Sequence, residues 1–170
     1  MNTFIALLRA VNVGGTGKLP MQDLKTLCEK AGFTNAQTYI ASGNVIFKSK
    51  KSEAQVKALL ESQIEKHAGK PISVLVRTPV EMSEILAQNP FPNAASNRTV
   101  AIFLDAPPPR NALDEITGHK NEEIKLGLRE IYVHYGDGMA DSKLKIPAAT
   151  AGTARNLNTV RRLIELAVNL

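Results

Sequence analysis

Thr38-Tyr39-Ile40-Ala41-Ser42-Gly43-Asn44-Val45-Ile46-Phe47-Lys48 reads as two short strand-forming runs, Thr38 to Ala41 and Val45 to Lys48, flanking Ser42-Gly43-Asn44 as a tight hairpin connection. What precedes and follows this hairpin decides the fold. Upstream, Thr3 to Arg9 predicts a strand, and Pro20 to Ala31 predicts a helix with proline in its first turn and Gly32 just past its end. Downstream, Ser52 opens a second helix with Gln55 at capping-box spacing, and Val56, Leu59, Leu60 and Ile64 recur at helical period until Gly69. Ile72 to Val76 predicts a further strand. The order is then β-α-β-β-α-β, that of the ferredoxin-like plait.

Thr78-Pro79-Val80-Glu81 is a further helix start, and that helix ends before Asn89-Pro90-Phe91-Pro92. The polar stretch up to Arg98 marks a boundary, so two subdomains are expected, 1–92 and 93–170. In the second, Thr99 to Asp105 predicts a strand, Asn111 to Thr117 a helix, and Glu123 to Leu128 with Glu130 to Tyr135 two strands. A final helix is expected from about Thr153 to Ala167. This is β-α-β-β-α, an incomplete second plait lacking the last strand, so the fold class is α+β with two ferredoxin-like subdomains. No residue-level repeat accompanies it.

The chain has 170 residues, 44% hydrophobic and 22% charged, ordinary values for a globular protein with a real core. Its longest apolar runs, such as Phe4 to Leu8 and Val100 to Leu104, fall far short of a bilayer span. A strand begins almost at once, without the basic start and apolar stretch of a signal peptide, so a cytoplasmic protein with no membrane partner is expected. Cys28 is the only cysteine, which excludes an intramolecular disulfide and a cysteine zinc site. It shares a helical face with Leu24 and Leu27 and reads as a buried, inert thiol. A net charge of +5 and a pI near 9.4 favour anionic partners.

The segment Leu8-Arg9-Ala10-Val11-Asn12-Val13-Gly14-Gly15-Thr16-Gly17-Lys18-Leu19-Pro20 fills the gap between the first strand and the first helix. In a plait, the third strand runs antiparallel beside the first, so the start of strand three lies next to the end of strand one. That places Arg9, Asn12, Gly14, Gly15, Lys18, Ser42 and Asn44 around one spot. Glycines let backbone amides approach a ligand, a helix N-terminus favours anions, and Arg9 and Lys18 supply full charges. The segment is not a nucleotide P-loop. That motif needs glycine where Asn12 stands and Ser or Thr where Leu19 stands. It is not a dinucleotide fingerprint either, since Pro20 occupies the third glycine's place. An anion pocket and a solvated glycine-rich connector both remain open.

A second polar cluster, Thr153-Ala154-Arg155-Asn156-Leu157-Asn158-Thr159, is expected to open the last helix, with Thr153 as N-cap and Asn156 reaching back. Arginine in a first helical turn opposes the dipole, so Arg155 and Asn156 suggest a bound anion; a solvated Arg covering apolar surface is the alternative. His67, His119 and His134 have no second histidine at metal-ligand spacing and read as structural or solvated. Asp137 and Asp141 flank Gly138, which reads as a turn rather than a metal site. No metal, cofactor or catalytic residue is indicated.

Three ordered blocks also resemble a known family. Leu7-Leu8-Arg9-Ala10-Val11-Asn12-Val13-Gly14-Gly15 with Lys18-Leu19-Pro20-Met21, then Tyr39 to Phe47, then Thr153 to Val160 resemble the signatures of an uncharacterised bacterial family, domain-of-unknown-function family 1697. Ala10 stands where glycine is expected, and Leu157 where tryptophan is expected. The resemblance implies two plait-like subdomains and no particular reaction. It marks both polar clusters as signature regions, and both are expected to line one pocket or groove. The function expected is a cytoplasmic binding protein or enzyme for a phosphorylated or carboxylated small molecule. A nucleic-acid-binding module and a structural or protein-interaction role are the alternatives. Oligomeric state is open.

Overall fold

A computed structural model describes residues 1–12 and 18–170. Its first sheet contains β1 (Asn2–Leu8), β2 (Thr34–Tyr39), β3 (Asn44–Ser49) and β4 (Val74–Arg77), in the order β2-β3-β1-β4 with every neighbour antiparallel. Two helices, α1 (Met21–Lys30) and α2 (Glu53–Ala68), connect these strands in the predicted β-α-β-β-α-β order. The α2 boundaries follow from local chemistry. The Ser52 hydroxyl accepts from the Gln55 N–H at 3.2 Å, the Gln55 side chain accepts from the Ser52 N–H at 3.0 Å, and Gly69 ends the helix at φ +75°.

Alternation sets the two faces of the sheet. Phe4, Ala6 and Leu8 of β1, with Val45, Phe47, Val74 and Val76, form the core with Leu24, Leu27 and Cys28 of α1 and Val56, Leu60 and Ile64 of α2. Burying each of the larger side chains is worth about 1.5–3 kcal/mol. Cys28 is fully buried in this core, and burial, with Glu29 nearby, pushes its thiol up to about 12. Ile5, Leu7, Leu75 and Arg77 share the opposite face and are buried as well.

The second sheet contains β5 (Thr99–Phe103), β6 (Glu123–Leu126), β7 (Glu130–His134) and β8 (Thr153–Asn156). Its order, β6-β7-β5-β8, matches the first sheet strand for strand. Two further helices are α3 (Pro79–Ala87), opened by reciprocal Thr78–Glu81 hydrogen bonds of 2.9 and 3.2 Å, and α4 (Leu157–Val168). The chain divides into two compact units, 1–82 with 162–170, and 83–161, the divisions falling inside α3 and α4.

The second plait is incomplete, but not where the sequence pattern pointed. Its last strand is present: Thr153–Asn156 pairs with β5, setting Arg155 opposite Ala101. A Cβ on Gly152 would come within 2.8 Å of the Phe103 carbonyl oxygen, so a glycine delivers the chain flush against the edge of β5. The missing parts are connecting helices. Residues 111–115 form turns instead of the expected helix. Eight residues between the Pro107–Pro109 run and Gly118 are too few to offset the cost of helix nucleation.

In place of helices, a coil segment covers the Val100–Ile102–Leu104–Ile131–Val133 face, packing Leu144, Ile146, Ala148 and Ala149 against it. This strap is tied at Thr117 and Lys145, whose backbones exchange hydrogen bonds of 3.0 and 2.8 Å. A Cβ on Gly118, at φ +68°, would sit 1.9 Å from the Lys143 carbonyl oxygen.

Candidate functional site

At the exit of β1, three chain segments converge. The Leu8 N–H donates to the Gly43 carbonyl at 2.8 Å, the Arg9 N–H donates to the Ser73 carbonyl at 3.0 Å, and Leu7 sits opposite Asn44. Gly43, at φ +89°, is required by packing: a Cβ there would lie 2.5 Å from a Val11 methyl and 2.9 Å from the Leu8 Cβ. The hairpin turn 40–43 therefore rests directly on the β1 exit.

Asn12 joins these parts. Its Oδ1 accepts from the Leu19 N–H at 2.6 Å, and its Nδ2 donates to the Leu19 carbonyl at 2.8 Å and the Ala41 carbonyl at 2.7 Å. One side chain thus ties residues 12 and 19 together and fastens both to the hairpin. Both amide hydrogens are engaged. Asn44, fully buried, donates to the Tyr39 carbonyl at 2.8 Å and to Ser42 Oγ at 3.0 Å, which fixes the turn from below. Arg9 and Lys18 are exposed, and Ser42 is half-buried. Gly14 and Gly15 lie outside the described residues.

The backbone here holds unusual conformations. Ala10, Asn12 and Ile40 have φ of +54°, +55° and +50°. Alanine thus adopts the left-handed turn at position 10 where glycine is the expected residue, at about 1–2 kcal/mol. A β-branched residue at φ +50°, exposed as Ile40 is, departs further from ordinary backbone preference. Such strain clusters at functional sites.

Beside these residues a cavity of about 230 Å³ is lined by Val11, Lys18, Leu19, His67, Lys70 and Ile72, among others. The plait order explains it. Since β4 runs antiparallel to β1, α2 must finish at the end where α1 begins. His67 in the last turn of α2 pairs with Asp23 in the first turn of α1 at 3.4 Å. His67 and Lys70 were not among the predicted site residues; their separation from Lys18 in sequence hides a proximity that only the helix directions supply.

The second cluster is built differently from its prediction. Thr153 and Arg155 are buried strand residues, and Asn156 is the cap: its Oδ1 accepts from the Thr159 N–H at 2.9 Å. Arg155 Nη1 donates to Thr153 Oγ1 at 2.8 Å and to the Ala154 carbonyl at 2.9 Å. Burial lowers its guanidinium to about 10. Arg155 therefore does not oppose a helix dipole, and that argument for an anion at the helix start falls away. Arg77, marked by no motif, holds the end of β4, the strand equivalent to β8, and is 1% exposed.

Elsewhere, Asp137 accepts from the Asn121 amide in a turn. Glu122 accepts from Ser142 Oγ at 2.6 Å and the Lys120 N–H at 2.8 Å, and these bonds hold its carboxyl at about 2. Among the described residues, no group of three or more His, Cys, Asp or Glu side chains is placed to hold a metal ion. Phe47 is fully buried and stacks on Phe33 with centroids 4.3 Å apart. No helix among the described residues is long and apolar enough to cross a membrane.

The model of a family described as protein of unknown function (DUF1697) matches residues 1–132. The chain belongs to this family. Two of the three signature blocks lie within the matched span, and Thr153 to Val160 lies beyond it. No curated protein matches the chain. Among solved structures, it is similar to the conserved bacterial protein SP0830 from Streptococcus pneumoniae, with a TM-score of 0.78 and 22% identity over 97% of this chain and 98% of that one. At that identity the likeness establishes the shared fold alone.

Proposed function

We propose that this DUF1697 protein is a cytoplasmic binding protein or enzyme for a phosphorylated or carboxylated small molecule, held at the exit of β1. The observation that carries this reading is the Asn12 clasp, which draws both ends of the glycine-rich segment onto the hairpin turn. Arg9 and Lys18 flank that clasp as exposed cations, Arg9 providing a planar fork suited to two oxygens at once. Asn12 and Asn44, their amides engaged within the chain, act as positioning residues, and Ser42 stands at the rim. Arg155 and Asn156 belong to the reading as a second polar cluster in their own unit.

Charge favours an anionic ligand, and burial disfavours a nucleic-acid platform. Single-stranded binding uses exposed aromatics, whereas Phe47 is committed to the core. The test is a thermal-shift screen of the wild type and Arg9→Ala against phosphorylated and carboxylated compounds. Dose-dependent protection of the wild type, reduced in Arg9→Ala, is expected. Protection unchanged in Arg9→Ala contradicts the reading, as does RNA or DNA binding that weakens steeply with salt in the absence of any small-molecule protection.

A further inference from the structure

We infer that the ligand's anionic group is received in the cavity between the end of α2 and the start of α1, by Lys18, His67 and Lys70, and that the ligand is a short phosphomonoester or carboxylate rather than a nucleotide. This rests on the reading above and narrows it to a substrate class and to two residues outside the signature blocks.

Lys18, His67 and Lys70 line one small cavity with Val11, Leu19 and Ile72, and among the described residues no carboxylate lines it, the nearest recorded one being Asp23, paired with His67 at 3.4 Å. Cations beside apolar walls suit an anionic head carrying a short hydrocarbon stem. Two cations from different chain segments also do what one cannot: they fix the head's position as well as its charge. Lys18 comes from the entry to α1, and Lys70 follows the glycine that ends α2, so the cavity depends on both helices.

Volume points the same way. At about 230 Å³ the cavity is smaller than the ~300–1,000 Å³ of sites for drug-sized molecules. A phosphate with a three-carbon stem fits that scale. A nucleoside triphosphate exceeds it, in agreement with Asn12 and Leu19 standing where a P-loop needs Gly and Ser or Thr.

Isothermal titration of the full chain at low salt, with glycerol phosphate, inorganic phosphate and adenosine triphosphate as probes, tests this. Glycerol phosphate is expected to bind more tightly than either other probe, and Lys70→Met and His67→Gln are each expected to weaken it about tenfold. Lys18→Met, at an exposed position, provides a variant whose folding is not at issue. If all three variants bind glycerol phosphate as the wild type does while Arg9→Ala does not, the cavity is not the site, and the broader anion-binding reading survives. If adenosine triphosphate binds as tightly as glycerol phosphate, the size class is wrong. If no probe binds the wild type, both inferences fail.

Discussion

The two units share one sheet order and cover it by different means. In the first, α1 and α2 bury the Phe4–Ala6–Leu8 face, so capping residues and helical periodicity govern its stability. In the second, the equivalent Val100–Ile102–Leu104 face lies under a coil strap carrying Leu144 and Ile146, themselves only half-buried. The strand plan thus does not require the helices. It requires only that apolar side chains reach the face, and a strap tied at Thr117–Lys145 and threaded past Gly118 suffices. The complete unit contains the strained β1 exit and the cationic cavity, which is lined from the end of α2 and the entry to α1.

This contrast is most easily broken with paired truncations. Leu60→Ala, at a fully buried α2 position, is expected to cost about 3 kcal/mol, whereas Leu144→Ala in the strap is expected to cost about 1 kcal/mol. Chemical denaturation of both variants checks it, and equal losses would mean that the strap is packed as a helix layer is. Next in size, Asn12→Ala removes three hydrogen bonds and is expected to destabilise by about 2 kcal/mol. Hydrogen exchange should then quicken at Leu19, whose N–H loses its acceptor; unaltered protection there would remove the clasp from the account.

Ala10→Gly works in the opposite direction. Relief of the left-handed alanine is expected to raise stability by about 1 kcal/mol, net of the glycine's greater freedom when unfolded. A destabilised variant would indicate that Ala10 is not strained. The smallest effect is expected at the strap. Glu122 has a folded-state value lowered from 4.5 to about 2, so it contributes stability above its unfolded value and loses it as pH falls from about 4.5 through 2. Acid titration of the wild type against Glu122→Gln should show this pH-dependent component only in the wild type. Identical profiles would mean that the bonds from Ser142 and Lys120 do not stabilise the charged carboxylate.

Much of the first unit was readable because its signals are local. Ser52 with Gln55, Gly69, and the spacing of Leu24, Leu27 and Cys28 each act within one or two helical turns. Thr153–Asn156 is strand where a helix start is expected, because threonine before a polar run suits a helix start and a buried strand equally. What decides between them is pairing with β5, some fifty residues away in sequence. The helix expected at 111–117 failed because its pattern was short and bounded by prolines and a glycine. The plait order placed Asn44 beside the β1 exit correctly. It did not disclose Lys70 and His67, because nothing in their own neighbourhood signals the direction in which α2 ends.

The most direct test of the anion site is an amide chemical-shift titration of the full chain with glycerol phosphate at constant ionic strength. Saturable shifts are expected, concentrated at Arg9, Val11, Lys18, Leu19, Lys70 and Ile72, with β5–β8 unmoved. Shifts confined to the second unit, or none that saturate, would contradict it.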